Sequence, residues 1–357
     1  MTFLIAAAGT GGHVFPGLAV GEALAARGVA KEDVLFIGGD RLEATIYPDA
    51  GFPFLGVELR GLQRSLTARN LSLPRLVWRA RAMIGVAIGE RGVRAALGMG
   101  GYVTVPTALA ARKARIPLLI AEQNAGAGLA NRIVSRWAAR KFTSFPNTHG
   151  LEDGEWVGNP VRRSLADFDR DRLLPLAVSR YGLDPELPVL GVFGGSLGAA
   201  SINAAVAVLV ETWRGAPIQV LHLTGGDGTS SAAARDDIVT WQRRGFEDRM
   251  ELFYAAANLV VARAGGGVAE LIVTGTPSIL IPGEFGSSGH QAMNAAFVEE
   301  AGAAVVLPQG RIAELTDLVG TILFSPECLQ SMRSAAGAIA KPGAAMTIAD
   351  AMLEQAR

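Results

Sequence analysis

Hydrophobic and polar positions along this chain alternate between two kinds of segment. Short, almost uninterrupted apolar runs, such as TFLIAA, VLFIGG, LPVLGVFGG and NLVVARAGG, mostly end in glycine or a polar turn. Between them lie alanine-rich stretches with helical spacing, for example Leu18 to Arg27 and Ala199 to Trp213. Apolar runs of this length predict strands that are buried on both faces. Their alternation with helices predicts an α/β fold with parallel sheets.

The same pattern occurs twice. FLIAAAGTGGH near the start and PVLGVFGGSLGAASIN from Pro188 share one plan of buried strand, glycine turn and helix, and the polar segment NPVRRSLADFDRDRLLPL lies between them. Because 357 residues are too many for one ordinary core, we expect two domains, 1–160 and 161–340. The proline-marked segment AKPGAAMTIADAML predicts that a last helix, 341–357, crosses back to the first domain.

Charge and composition narrow the function classes. The 33 basic residues balance the 33 acidic ones, so no long-range field recruits nucleic acid. No apolar run reaches the roughly eighteen residues that span a bilayer, and the first residues lack the pattern of a signal peptide. The lone Cys328 cannot form an intrachain disulfide. We therefore expect a cytoplasmic protein that is soluble or at most peripheral on a membrane.

Glycine-rich turns between a strand and a helix usually accept phosphate, since bare backbone N–H groups and the helix N-terminus both favour an anion. The Walker A pattern is absent, because none of the lysines follows a glycine. The dinucleotide fingerprint also fails, with Val14 and Ser196 standing where glycines are required. The turns therefore favour a phosphate compound of another kind.

Seven motifs taken together resemble the MurG family of bacterial peptidoglycan glycosyltransferases over essentially the whole chain. In order they are GTGGHVFPGLAV, LGMGGYVTVPTALAAR, EQNAGAGLANR, GNPVR, GGSLGAASIN, ARAGGGVAEL and HQAMNAAFVEEAGAA. The resemblance implies a GT-B type α/β fold, with two facing Rossmann-like domains, parallel sheets and a cleft between them. It also implies transfer of N-acetylglucosamine from UDP-N-acetylglucosamine to lipid I, the muramyl-pentapeptide lipid, which makes lipid II at the cytoplasmic face of the plasma membrane.

Candidate residues for the acceptor side come from the first domain. His13 follows a glycine turn at the end of the first strand, and an imidazole titrates near neutral pH, so it is a candidate general base. It is also placed to donate a hydrogen bond to diphosphate. Glu122 is the rival base or a carboxylate that orients the acceptor. The resemblance adds Asn124 and Asn131 to this pocket, and Thr10, Gly11 and Gly12 as contacts of UDP-N-acetylglucosamine.

The resemblance assigns the donor side mainly to the second domain. Its contacts with the diphosphate, the ribose and the sugar are expected from Arg162, Ser196, Arg263, Glu270, His290, Gln291 and Asn294. The segment FEDRM corresponds to a stretch whose backbone faces uracil. The chain departs from the family in RAGGGVAE, which lacks the usual serine or threonine between arginine and glutamate.

A membrane-facing helix is predicted in LPRLVWRARAMIGVAIGER. On a helical wheel the inward stripe is formed by Leu76, Ala80, Met83 and Ala87. Trp78 lies nearly opposite, among Arg75, Arg79 and Arg81, and a tryptophan ringed by arginines suits an anionic interface.

No metal site is expected. DRD, Asp169 to Asp171, fits an Asp-x-Asp metal motif but lies outside any strand pattern, and we interpret it as a solvated helix start. No cofactor is required, although the sequence leaves open whether a divalent ion assists. Two other function classes also stay open. One is a transferase or UDP-sugar epimerase that acts on another substrate, and the other is a non-catalytic sugar-nucleotide-binding subunit.

Overall fold

The computed structural model describes residues 1–59, 73–195, 198–226, 231–235, 238–283 and 288–357. The chain divides into two compact units. The first unit contains Met1–Arg163 together with Lys341–Arg357, and the second contains Ser164–Ala340. Arg162 therefore belongs to the first unit.

The first unit is built on a seven-stranded parallel sheet. Its strands are β1 (Thr2–Ala6), β2 (Val34–Gly38), β3 (Phe54–Gly56), β4 (Val93–Gly98), β5 (Leu118–Glu122), β6 (Arg140–Thr143) and β7 (Glu155–Trp156), in the spatial order β3-β2-β1-β4-β5-β6-β7. Its helices include α1 (Gly11–Ala26), α2 (Glu43–Asp49), α3 (Leu73–Arg91), α4 (Thr104–Ala114) and α5 (Leu129–Val134). All residues of β1, β2 and β5 are buried, as expected for strands covered on both faces.

The second unit carries a second seven-stranded sheet. Its strands are β8 (Val189–Phe193), β9 (Ile218–Leu223), β10 (Ser231–Arg235), β11 (Val239–Arg244), β12 (Leu259–Ala262), β13 (Ser278–Leu280) and β14 (Ala304–Val306), in the order β10-β11-β9-β8-β12-β13-β14. The edge strand β10 is antiparallel to β11, and the other pairs are parallel.

The helices that follow the first unit's sheet are α6 (Arg163–Ala166), α7 (Arg170–Tyr181), α8 (Ala200–Thr212), α9 (Met250–Ala256), α10 (Gly267–Thr274), α11 (Ser288–Glu300), α12 (Leu315–Leu323), α13 (Pro326–Ile339) and α14 (Ala344–Gln355). The last of these, α14, packs in the first unit beside α1. Ile348 and Met352 of α14 join the core that holds Val20 and Leu24 of α1. The Arg27 guanidinium donates two hydrogen bonds to Asp350, at 2.6 and 2.7 Å.

The boundaries of two predicted helices can be compared with the structure. The predicted helix from Ala199 to Trp213 corresponds to α8, which these two residues cap. The helix predicted from Leu18 begins earlier, at Gly11, and contains Pro16. Gly11 and Gly12 therefore belong to its first turn, whereas Gly9 stays in the connection before it. This places His13 in the first turn of α1, beside the carboxyl end of β1.

Candidate functional site

The turn between β1 and α1 exposes the amino end of a long helix. Gly9 has a φ of 107°, a left-handed conformation that favours glycine, and lets the chain reverse after β1. Thr10 then takes an extended conformation as the N-cap of α1 and makes no side-chain capping bond. The first turn of α1 contains no acidic residue. Gly11 and Gly12 therefore present backbone N–H groups and the positive end of the helix dipole to an anion.

His13 is held by a residue that was not predicted from the sequence. Its Nδ1 lies 2.6 Å from Oε1 of Gln123, which directly follows β5. The Gln123 amide is oriented by its own Nε2, which donates to the Ala121 carbonyl at 2.9 Å. Because an amide oxygen only accepts, Nδ1 of the neutral imidazole must carry the proton. Nε2 of His13 is then left with the lone pair, which is the form that accepts a proton.

Two glycines allow the backbone after β4 to approach this imidazole. Gly100 and Gly101 have φ values of 87° and 73°. A Cβ at Gly100 would lie 3.3 Å from Cε1 of His13, and one at Gly101 would lie 2.8 Å from the Ala8 carbonyl oxygen. The motif GMGGY thus fixes one wall around His13, since larger residues would displace the ring or the loop.

Glu122 is buried, with 2% of its surface exposed, and both of its oxygens are used as acceptors. Oε1 accepts from the backbone N–H groups of Gln123 and Asn124 and from Nδ2 of Asn124, each at 3.1 Å. Oε2 accepts from the Gly128 N–H at 3.0 Å and from Asn131 Nδ2 at 2.9 Å. This carboxylate therefore organises the loop that follows β5.

Asn131 of α5 packs against the end of β5 and the loop that follows it. It is fully buried, and its Nδ2 also donates to the Ala121 carbonyl at 3.1 Å. Its Oδ1 is buried and has no hydrogen-bond partner within the described part of the chain. A buried acceptor without a donor is costly, so this atom marks a place where a ligand hydroxyl or amide would be favourable.

A second buried carboxylate, which unlike Glu122 was not predicted from the sequence, organises the neighbouring loops. Glu43 of α2 is fully buried and accepts from the Gly9 N–H at 3.3 Å, the Gly39 N–H at 3.0 Å and the Tyr102 hydroxyl at 3.2 Å. Burial and the negative charge of Glu43 raise the pKa of Tyr102, which therefore stays a neutral donor. Glu43 thus joins the loops that follow β1, β2 and β4.

In the second unit, Arg263 follows β12 and is held from two sides. Its Nη1 donates to the Ile281 carbonyl at 3.0 Å, and its Nη2 donates to Oγ of Ser201 at 2.7 Å. Ser201 lies in the first turn of α8, and Ile281 directly follows β13. The arginine therefore links the end of β12 to both of these segments. Ser201 was not predicted from the sequence, because the motif GGSLGAASIN offers two serines and no spacing distinguishes them.

His290, Gln291 and Asn294 all lie on α11, as their spacing predicts. Oε1 of Gln291 accepts from the Gly283 N–H at 2.8 Å, and Nδ2 of the buried Asn294 donates to the Ala264 carbonyl at 3.1 Å. These two contacts fix α11 against the loops after β13 and β12. His290 Nδ1 is buried, and no described residue forms a hydrogen bond with it.

Glu270 lies in the first turn of α10, and its Oε2 accepts from the Tyr254 hydroxyl at 2.8 Å. Arg162 stacks its guanidinium on Phe15 of the first unit, with its Cζ 5.5 Å from the ring centroid. Ser196 lies outside the described residues.

The segment FEDRM contains a side chain that matters to the fold. Glu247 is buried and accepts from Arg180 Nη2 at 2.7 Å, from the Tyr181 hydroxyl at 2.9 Å and from the Arg249 N–H at 3.0 Å. Burial alone would raise the pKa of this carboxyl, but the hydrogen bonds from Arg180 and Arg249 outweigh it and lower the pKa to about 2. Glu247 therefore anchors this segment to α7.

Helix α3 exposes Trp78, of whose surface 64% is accessible, and the Arg81 guanidinium lies 4.4 Å from the centroid of its ring. Arg79 pairs with Glu58 at 3.7 Å on the surface, and Arg75 is exposed. The predicted inward stripe is wrong at Met83, which is 42% exposed. The buried residues of α3 are Ala80, Ile84 and Ile88, which follow one another at i, i+4. The centre of the buried face therefore lies near Ile84, and Met83 lies about 100° away from it around the helix.

Within the described ranges, no group of three or more His, Cys, Asp or Glu side chains could hold a metal ion. Asp169 of the DRD segment is the N-cap of α7, and its side chain accepts from the Arg172 N–H at 3.1 Å. The prediction of a helix start at this segment is therefore confirmed. No helix in the part of the chain that the structure describes has the length and apolarity needed to cross a membrane.

The structure thus forms one cluster of candidate residues at the carboxyl edge of each sheet. In the first unit, Glu122, Asn124 and Asn131 share one network, and His13 joins it through Gln123. In the second unit, Arg263 and the α11 residues lie at the ends of β12 and β13. Trp78 and the arginines of α3 form a separate surface.

Comparison with protein families gives two matches along the chain. The glycosyltransferase family 28 N-terminal domain matches residues 3–143, and the glycosyltransferase family 28 C-terminal domain matches residues 189–351.

Curated relatives match nearly the full length. A protein of Alkalilimnicola ehrlichii is 40% identical over 100% of this chain and 99% of its own, and one of Clavibacter sepedonicus is 36% identical over 98% and 95%. Both are named UDP-N-acetylglucosamine--N-acetylmuramyl-(pentapeptide) pyrophosphoryl-undecaprenol N-acetylglucosamine transferase. The crystal structure of Acinetobacter baumannii MurG is similar with a TM-score of 0.76 and 28% identity, over 99% of each chain. The predicted α/β fold of GT-B type is confirmed.

Proposed function

The chain belongs to glycosyltransferase family 28, and from this premise we propose that it transfers N-acetylglucosamine from UDP-N-acetylglucosamine to lipid I, forming lipid II for peptidoglycan. The observation that carries this function is the full-length identity of 36% and 40% to relatives named for that reaction. The geometry around His13 adds a chemical reason, because the transfer needs a group that removes a proton from the acceptor hydroxyl.

We infer that His13 is the general base. Its Nδ1–H is committed to Gln123, so its Nε2 lone pair is available to the acceptor. As the acceptor oxygen attacks the anomeric carbon, its proton passes to Nε2 and the bond from that carbon to the UDP oxygen breaks. The electron pair of that bond leaves with UDP, and the anomeric carbon is inverted. Gln123 acts as a positioning residue, because it selects the tautomer without touching the reacting atoms.

We propose that Glu122 holds the loop after β5 in place and does not act as the base. Its five hydrogen bonds come from donors of the segment 123–131, so both of its oxygens already act as acceptors within the protein. We propose that it is a positioning residue that holds Gln123, Asn124 and Asn131.

The negative charge that develops on UDP needs donors that are already oriented. Arg263 meets that need, since its guanidinium is fixed by Ser201 and the Ile281 carbonyl at the end of β12. Glu270 is suited to accept from the two ribose hydroxyls, and His290, Gln291 and Asn294 are suited to read the sugar. We propose further donor contacts from Thr10, Gly11, Gly12, Asn124, Arg162 and Ser196.

We propose that the protein is peripheral on the cytoplasmic face of an anionic membrane, where its lipid acceptor resides. The support is the surface of α3, which presents Trp78, Met83 and Val86 to solvent next to Arg75, Arg79 and Arg81. Exposed large apolar side chains beside arginines suit the headgroup region of a bilayer.

The release of UDP tests this function against the other classes. A transferase releases UDP from UDP-N-acetylglucosamine only when lipid I or an analogue is present. An epimerase of UDP-N-acetylglucosamine would change the sugar without any acceptor, and a binding subunit would release nothing. Acceptor-dependent UDP release supports the proposal, and either of the other two results contradicts it.

A further inference from the structure

The second unit contains a cavity of about 310 Å³ at the edge of its sheet opposite to Arg263. Ala257 lies two residues before β12 and Pro277 lies directly before β13, and both line the cavity. Arg263 directly follows β12, at the other end of the same strand. The cavity is therefore separate from the candidate donor residues.

Two arginines from different helices line this cavity, Arg170 at the start of α7 and Arg333 in the middle of α13. Both are half-buried. Among the described residues, neither has an ion pair with a carboxylate, and none of the residues that line the cavity is acidic. Half-buried arginines usually have a counter-charge, because removal of a cation from water is costly.

The donors of Arg170 are largely unused. Its Nη2 makes one long contact, 3.4 Å to the Ala257 carbonyl. Its Nε is buried and has no hydrogen-bond partner among the residues that the structure describes. Burial lowers the pKa of Arg170, and the positive charge of Arg333 lowers it further. Burial also lowers the pKa of Arg333. The pair thus forms a local positive charge that the described side chains around the cavity do not neutralise.

The neighbouring acidic groups do not fill this role. Asp169 is exposed, and its carboxylate caps the Arg172 N–H. Asp171 is exposed on the first turn of α7. Its negative charge raises the pKa of Arg170, but this effect is smaller than the lowering by burial and by Arg333. The hydroxyls of Thr274 and Thr276 bond to each other at 2.8 Å, and Thr274 also donates to the Glu270 carbonyl at 2.8 Å. The unused donors of the cavity are therefore the guanidinium groups.

We propose that this cavity binds the phosphate group of a small phosphorylated molecule between Arg170 and Arg333. Guanidinium groups match phosphate oxygens with two parallel N–H···O bonds, and two of them compensate a dianion. The positive end of the α7 dipole adds to this preference. The cavity is large enough for more than a bare phosphate, and the side chains of Phe168, Ile272 and Pro277 provide an apolar wall for the remainder of such a ligand.

The proposal is tested by the thermal stability of the full chain in inorganic phosphate and in sodium chloride of equal ionic strength. At about ten times its Kd, phosphate should raise the Tm of the wild type by about 4 °C through preferential binding to the folded state. Arg333→Gln and Arg170→Gln should lose this increase. Arg172→Gln, which removes a charge from an exposed site of α7, should keep it.

Two further measurements of Tm are controls. One tests whether Arg333 has a structural role, and the other tests whether phosphate binds at Arg263 and not in this cavity. In chloride alone, Arg333→Gln should have a Tm equal to or above that of the wild type, because it removes an uncompensated half-buried charge. A lower Tm would instead indicate that Arg333 is structural and would contradict the proposal. Arg263→Gln should keep the phosphate effect. If Arg263→Gln abolishes the effect, or if Arg333→Gln and Arg170→Gln retain it, the phosphate binds elsewhere and the proposal is overturned.

Discussion

Nδ1 of His13 lies 2.6 Å from Oε1 of Gln123, and this contact decides which nitrogen of the ring can accept a proton. Replacement of Gln123 by leucine should remove the acceptor and let the proton move to Nε2. We expect kcat to fall about 10²-fold while the KM for the sugar nucleotide changes little. ¹⁵N spectra of histidine-labelled protein would report the tautomer directly, with His13→Ala to assign the signal.

Gln123→Glu is the matched variant. A carboxylate still accepts from Nδ1–H, so the tautomer should be kept, but it also stabilises the imidazolium. The acidic limb of the kcat/KM profile should then move upward by about one pH unit. Full activity of Gln123→Leu, with an Nε2–H signal for His13, would show that the tautomer is irrelevant to catalysis.

Glu122 offers a second test, because a base and a loop anchor respond differently to the same change. Glu122→Gln replaces one of the two acceptor oxygens with an NH₂ group, which donates and cannot accept. The two or three hydrogen bonds to that oxygen are therefore lost. We expect the free energy of unfolding of the first unit to fall by about 2 to 4 kcal/mol, with activity falling in parallel. Chemical denaturation and transfer rates measure the two effects. A large loss of kcat at unchanged stability would restore Glu122 as the base.

The stability of the second unit should depend on pH through His222. This residue is buried in β9, its Nε2 lies 3.0 Å from Asn203 Oδ1, and burial together with the charge of Arg243 lowers its pKa to about 4. The unfolded chain binds a proton near pH 6.5, while the folded chain does so only near pH 4. The contribution of His222 to the free energy of unfolding is therefore fully present above about pH 6.5. It falls by about 3 kcal/mol as the pH decreases to about 4.

The contribution of His222 is isolated by a variant that does not titrate. His222→Gln should have a smaller loss of the free energy of unfolding between pH 6.5 and 4 than the wild type. Glu247, whose pKa is lowered to about 2, acts in a separate window below about pH 4.5 and should be unaffected by this change. Parallel curves for wild type and variant would disprove the role of His222.

Membrane binding through α3 predicts that Trp78→Ala weakens sedimentation with anionic phospholipid vesicles. Loss of one aromatic side chain that enters the headgroup region of the bilayer should reduce the affinity about tenfold. Leu176→Ala is a matched control, since Leu176 is also exposed, at 55%, but lies on α7 of the second unit. Equal effects of the two substitutions would argue against α3 as the membrane-facing surface.

The sequence predicted those features that are local in the chain. Buried strands such as β1 appear as apolar runs, and a glycine turn after a strand places His13 at the carboxyl edge of the sheet. Helix periodicity identified the exposed side of α3 at Trp78 but placed Met83 inside. This error arises because a stripe of steps of three and four is ambiguous by one residue until the packing partner is known.

The partners of the candidate residues could not be predicted in the same way. Gln123 is separated from His13 by 110 positions, and Glu43 is separated from Gly9 by 34. Only the strand order of the sheet brings these ends together, and no local pattern encodes it. Burial of Glu43 is also invisible to composition, because a glutamate in a short polar segment resembles a surface residue.

Transfer of radiolabelled N-acetylglucosamine from its UDP carrier to a lipid I analogue tests the central claim most directly. The wild type should form labelled disaccharide lipid, and His13→Ala should form it at least about 10²-fold more slowly while still binding the donor. Glu270→Ala should instead weaken donor binding. A wild-type protein that binds UDP-N-acetylglucosamine in the presence of lipid I analogue and transfers no label would contradict the account.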